Sequence, residues 1–152
     1  LVPGVLQELG VQALFHKVLM KPGKPLLFGI KPETNATEPA RLIFGLPGNP
    51  VSSMVCFELF VRPALRALMS LPPGPTWVQA TLANDYAYRT DRPTYHPARL
   101  DLTPTGWTVN IPSWFGSPDL RGVLSANAFA LIPEGEHRFR VGETLSVMRM
   151  ED

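Results

Sequence analysis

Cysteine is almost missing: Cys56 is the sole thiol in 152 residues, so no internal disulfide forms. The three histidines are scattered, which leaves no His/Cys cluster suited to zinc. Charge of one sign never accumulates. With 14 Lys and Arg against 13 Asp and Glu the net charge is +1, no footprint for nucleic acid or an anionic membrane, so any anion site must be local. No apolar run approaches the roughly 20 residues of a membrane-spanning helix, and no secretory signal is recognisable. A reducing cytoplasm is the resulting expectation. The Gly-x-Ser-x-Gly elbow, the Walker phosphate loop and the Gly-x-Gly-x-x-Gly fingerprint are all missing. What is abundant is the apparatus of turns, 17 prolines and 12 glycines, in a chain whose 45% apolar content suits a globular fold.

Two regions differ in style. From Val2 to Leu9 the chain reads as a helix stopped by Gly10, and because it begins at Leu1, inside that helix, a fragment is expected. Val11 to Val18, Leu26 to Ile30 and Leu42 to Leu46 are short apolar runs of strand length, the last two separated by a polar loop, Lys31 to Ala40. Asn35-Ala36-Thr37 matches a glycosylation acceptor by chance. From Pro50, the residues Val51, Met54, Val55, Leu59, Leu65, Leu68 and Met69 follow a helical period. Glu58, Arg62, Arg66 and Ser70 form a polar stripe that keeps phase through Pro63. This predicts one helix, mostly buried, kinked or interrupted near that proline, with Glu58 and Arg62 as a surface pair. Leu71-Pro72-Pro73-Gly74-Pro75 is a stiff linker. Beyond it, Trp77–Leu82, Arg99–Leu102, Trp107–Ile111, Phe129–Ile132 and Thr144–Met148 alternate as strands, predicting a small β-barrel or sandwich. The expected domains are 1–71 and 76–152.

The corner Phe44-Gly45-Leu46-Pro47-Gly48-Asn49-Pro50-Val51-Ser52-Ser53 joins a strand to the helix. Asn49 is a good N-cap and Pro50 a good first helical residue, so the amides of Val51, Ser52 and Ser53 are expected to point out of the helix mouth, where anions bind. The same residues also suit a plain turn. Lys21 and Lys24 bracket a Pro-Gly turn that brings their Cα atoms within about 7 Å, either as an anion clasp or as solvated surface charges. Tyr86, Arg89, Asp91, Arg92, Tyr95, His96, Arg99 and Asp101 crowd one stretch, and Gly116, Ser117, Gly122, Ser125 and Asn127 make a polar loop or a turn.

Taken in order, Phe15-His16-Lys17-Val18, Met20-Lys21-Pro22-Gly23-Lys24-Pro25, Gly45 to Ser52, and Phe60-Val61-Arg62-Pro63-Ala64-Leu65 resemble the molybdopterin molybdenumtransferase family. Arg92-Pro93-Thr94-Tyr95-His96 and the segment Gly116 to Asn127 are similar to its C-terminal β domain. The resemblance implies a partial pterin-binding α/β domain of three-layer type, with strands and a long helix, followed by a small all-β barrel-like domain. It implies insertion of molybdate into adenylylated molybdopterin with release of AMP, aided by Mg²⁺. The substrate-binding residues it implies are Lys21, Lys24, Pro47, Gly48, Asn49, Pro50, Ser52, Arg92 and Ser117. The Gly/Ser-rich phosphate loop and the metal-binding acids of the family would lie upstream of Leu1, in a missing N-terminal part of the same protein, so this chain alone is expected to be inactive. Family sites form between the subunits of a homodimer. Pro97 and Gly122 depart from an arginine and a serine of the family pattern. The alternative is a non-catalytic scaffolding module of the gephyrin type.

Overall fold

The computed structural model describes residues 2–33, 39–114 and 120–150. Helix α1 (Val2–Glu8) closes at Gly10, whose φ of +79° lets its N–H reach Gln7 O at 3.0 Å while Val11 N–H reaches Leu6 O at 2.9 Å. Strands β1 (Gln12–His16), β2 (Leu27–Lys31) and β3 (Arg41–Gly45) follow as an antiparallel sheet in that order. β1 is shorter than its apolar run because Lys17 turns to φ +79° and its N–H bonds across to Leu26 O at 2.8 Å. The Asn35-Ala36-Thr37 sequon lies outside the described residues.

The long helix is 19 residues, built as α2 (Pro50–Cys56), a π turn (Phe57–Val61) and α3 (Arg62–Leu68). Pro63 has no N–H and would crowd the Leu59 carbonyl in a regular helix. The chain accommodates it by widening the preceding turn, so that Arg62 N–H reaches back five residues to Phe57 O. A π turn therefore stands where an interruption is expected.

Two other expectations for this helix are corrected. Glu58 is buried rather than superficial, and Arg62 grips it with both fork nitrogens, Nε at 2.6 Å from Oε2 and Nη2 at 2.8 Å from Oε1. Burial also stops halfway along. Val51, Val55 and Cys56 are buried, but α3 buries nothing, and Leu65, Leu68 and Met69 are 47%, 71% and 69% exposed.

The second region comprises β4 (Trp77–Leu82), β5 (Tyr86–Thr90), β6 (Thr94–Thr103), β7 (Gly106–Asn110), the short helix α4 (Arg121–Leu124), β8 (Ala128–Ile132), β9 (Gly135–Phe139) and β10 (Thr144–Arg149). Strands β10-β4-β7-β6-β8 close into a barrel filled by alternate residues, among them Leu82, Leu100, Val109, Ile132 and Val147. Two asparagines act as strand surrogates where pairing would end. Asn84 bonds both backbone groups of Ile111, and Asn127 bonds both of Leu100. β5 and β9 form a separate antiparallel ribbon that the sequence reading does not anticipate.

The barrel is more than a neighbour of the sheet and helix. Met20, Leu26, Val55 and Cys56 on one side share a buried cluster with Phe129 and Met148 of the barrel. Burying that many apolar side chains stabilises the seam itself, so the linker is not what holds the halves together.

Candidate functional site

The turn from Lys21 to Lys24 lies on this seam. Lys21 N–H donates to Pro93 O at 2.9 Å, and Tyr95 N–H donates to Lys21 O at 2.7 Å, so the turn is stitched to the start of β6. On the other side it rests on α2. Gly23 sits at φ +110°, and a Cβ there would come within 2.7 Å of Cys56 Sγ and 2.9 Å of Met20 Cε. Only glycine permits both the conformation and the approach. Cys56 Sγ in turn donates to Gly23 O at 3.5 Å. Burial pushes the thiol pKa up to about 11, so it stays protonated and able to donate.

Around this turn opens a cleft of about 340 Å³ whose polar walls are Lys21, Lys24, Ser52, Asp91 and Arg92, with Trp114 as an apolar wall. The structure thus brings together four of the anticipated substrate-binding residues, Lys21, Lys24, Ser52 and Arg92. Lys21 is half-buried, with Nζ 5.5 Å from the centre of the Tyr88 ring, while Lys24 is exposed. Arg92 is placed by its own carbonyl, which accepts from the hydroxyls of the buried Thr90 and Thr94 at 2.9 and 3.2 Å. Its guanidinium forks onto Asp91, with Nε 3.1 Å from Oδ1 and Nη2 on Oδ2. That hydrogen bonding holds the Asp91 carboxyl below the usual carboxylate range.

The other anticipated residues behave differently. Asn49 caps α2 as expected, accepting from Val51 N–H at 3.1 Å and Ser52 N–H at 3.3 Å, while Ser53 N–H goes to Asn49 O at 2.9 Å. The amides expected to be free at the helix mouth are therefore occupied from within. Ser53 Oγ donates to Pro47 O, and Pro47, Gly48, Asn49 and Pro50 stand outside the cleft lining as a self-contained corner behind Ser52. Ser117 and Gly116 lie outside the described residues. Pro97 is buried in β6 opposite Phe129 of β8, and Gly122 is pressed against Trp114, where a Cβ would lie 2.7 Å from Cδ1. Asn127 has the structural role described above, and Arg99 pairs with Asp101 on the exposed face of β6.

Trp114 is not singled out by sequence reasoning. It is buried, lines the cleft and meets the His96 ring edge-on at 4.8 Å. His96 is fully buried among Tyr86, Tyr88 and Trp114, its Nδ1 on Pro97 O at 3.0 Å and its Nε2 without a hydrogen-bond partner. Desolvation lowers its pKa to about 4, so it is neutral near pH 7. A larger hollow of about 530 Å³ over the β5–β9 ribbon contains none of the anticipated site residues. Among the described residues no group of three or more His, Cys, Asp or Glu converges to hold a metal ion, so the residues present do not fit a Mg²⁺ site. No helix among them is long and apolar enough to cross a membrane.

Comparison with known proteins matches residues 1–67 to a probable molybdopterin binding domain and residues 79–150 to the MoeA C-terminal region, domain IV. The molybdopterin molybdenumtransferase of Synechococcus elongatus is 34% identical over 146 residues, covering 96% of this chain and 34% of the relative. That of Staphylococcus aureus is 31% identical over 152 residues, again with 34% of the relative covered. The chain thus spans about a third of the length of these relatives. Among solved structures, a molybdopterin biosynthesis MoeA protein from Pyrococcus horikoshii superposes with a TM-score of 0.76 at 25% identity, over 100% of this chain and 35% of the other.

Proposed function

The chain belongs to the molybdopterin molybdenumtransferase family, and from that premise we propose that its seam cleft supplies the oxyanion-binding part of a site that inserts molybdate into adenylylated molybdopterin and releases AMP. The observation that carries this reading is the convergence of Lys21, Lys24, Ser52 and Arg92 on one cleft. Two lysines and an arginine around a small polar hollow suit a tetrahedral dianion such as molybdate or a phosphate, since charge-assisted hydrogen bonds stabilise it where water is partly excluded. Trp114 supplies an apolar wall on one side. In this reading the lysines hold the anion, Ser52 offers a hydroxyl, and Arg92 closes the far wall. Ser117 is proposed to join them.

Mg²⁺ belongs to acids elsewhere in the longer protein, and no step through it is assigned to these residues. The exposed apolar residues of α3 and the fully exposed β1 are proposed to pack against the remainder of that protein, which itself acts as a homodimer. The domain division at 71–76 is likewise proposed.

The test is molybdate-dependent AMP release from adenylylated molybdopterin by the full-length protein. Charged hydrogen bonds of this kind contribute about 1.5–3 kcal/mol each. Lys21→Ala, Lys24→Ala and Arg92→Ala should therefore each lower kcat/KM about tenfold or more. Wild-type rates in all three variants would remove the cleft from the reaction.

A further inference from the structure

Among the described residues that line the cleft Asp91 is the one carboxylate, and its position is built rather than incidental. The corner that carries it is fixed on both sides: Thr90 and Thr94 hold the Arg92 carbonyl, and the next carbonyl, that of Pro93, accepts the Lys21 amide. The roots of Asp91 and Arg92 therefore move with the Lys21–Lys24 turn as one unit. Within that unit the Arg92 side chain is only 22% exposed, whereas that of Asp91 is 67% exposed. The Asp91 carboxylate covers the Nε–Nη2 edge of the guanidinium, an edge suited to two oxygens of a tetrahedral anion.

We propose that Asp91 is a resident counter-ion of the cleft, an internal stand-in for the ligand that an incoming tetrahedral oxyanion displaces from Arg92. The proposal deepens the oxyanion reading above and rests on it. An exposed ion pair between sequence neighbours is weak and its acid is free to swing into solvent, so displacement is cheap. It still sets a threshold. An anion that offers the fork no more than a carboxylate already gives does not open the pair, while a dianion held simultaneously by Lys21 and Lys24 does. Asp91 thereby keeps Arg92 oriented and neutralised when the cleft is empty and screens out weakly held monoanions.

The experiment is calorimetric titration of the full-length protein with sodium molybdate and, in a separate arm, with AMP as a phosphomonoester. The proteins compared are wild type, Asp91→Asn, Arg92→Ala and the double variant. Asp91→Asn should bind about fivefold more tightly than wild type, and that gain should vanish when Arg92 is absent. Gain with molybdate alone assigns the displaced position to the free oxyanion, and gain with AMP alone assigns it to a phosphate ester; either supports displacement. Unchanged affinity for both anions in Asp91→Asn overturns the proposal. So does a gain that persists undiminished in the double variant, because Asp91 then acts only as a diffuse charge on the lysines. Asp91→Ser, with the same expectation, replaces Asp91→Asn if the latter is poorly folded. Binding of neither anion by any of the proteins also overturns it, and the transferase reading then stands or falls separately on AMP release.

Discussion

Gly23→Ala tests whether the cleft depends on the close approach of its turn to the helix. The added methyl would lie 2.7 Å from Cys56 Sγ and 2.9 Å from Met20 Cε. The methionine methyl is the end of a flexible chain and moves aside, but Cys56 is fixed on α2 inside a buried cluster. Overpacking of this sort costs about 1–3 kcal/mol. The backbone adds its own term, because φ of +110° disfavours any side chain by about 1–2 kcal/mol. Gly23→Ala should therefore destabilise the full-length protein by about 3 kcal/mol, read from the midpoint of urea denaturation at unchanged slope.

The two contributions separate in a double-mutant cycle. Cys56→Ala removes the sulfur the methyl would strike and leaves φ as it was. In that background Gly23→Ala should cost only about 1–2 kcal/mol, a coupling of about 1–2 kcal/mol between residues 33 positions apart in sequence. Molybdate affinity should fall in Gly23→Ala and recover in part in the double variant, because Lys21 and Lys24 are the two ends of the displaced turn. A loss below about 0.5 kcal/mol, or equal losses in the two backgrounds, would refute the argument that steric seating of Gly23 on Cys56 positions the lysines.

Three further outcomes are expected. Asn49→Ala should lower stability by about 1 kcal/mol, since two amide bonds to one side-chain oxygen are lost, and Asn49→Asp should restore it; a denaturation midpoint unmoved by Asn49→Ala would refute the cap. Cys56 should resist iodoacetamide at pH 8 until the protein unfolds, and its ionisation should weaken folding only as pH rises past 9, where the unfolded thiol loses its proton and the folded one keeps it. Rapid native-state alkylation would contradict that burial. Folding stability should decline as pH falls from 6.5 towards 4, because unfolded chains protonate His96 in that window and folded ones do not; the full effect is about 3 kcal/mol, and His96→Leu should flatten that part of the profile.

Local chemistry made much of the fold legible. Gly10 and Asn49 end and begin helices because each satisfies backbone groups with atoms a few residues away, and β4 alternates because one of its faces is packed, whereas β8 is an apolar run because Ala128 and Ala130 face the barrel and Phe129 faces the seam. The β5–β9 ribbon was hidden by its charges. Tyr86, Tyr88 and Thr90 alternate with Ala87 and Arg89, a strand pattern in which Arg89 is set against Glu136, but in sequence the same residues also make a polar cluster. The helix-mouth amides are not free for a local reason: a cap good enough to start a helix also consumes the donors that an anion would need.

The site was harder to read because its members are local neighbours only in pairs. Lys21 and Lys24 share a turn, and Asp91 and Arg92 share a corner, but what unites them is the Lys21–Thr94 bridge and the packing of Met20 and Cys56 against Phe129 and Met148. Those contacts are nonlocal and mostly apolar, so no spacing in the sequence announces them. The same holds for Trp114. A tryptophan in a loop looks like a surface anchor until Gly122, lacking a side chain, lets that ring lie against it and beside His96. Removing the space at Gly122 would thus press on a cleft wall from behind, which makes the absence of a side chain there part of the site's architecture.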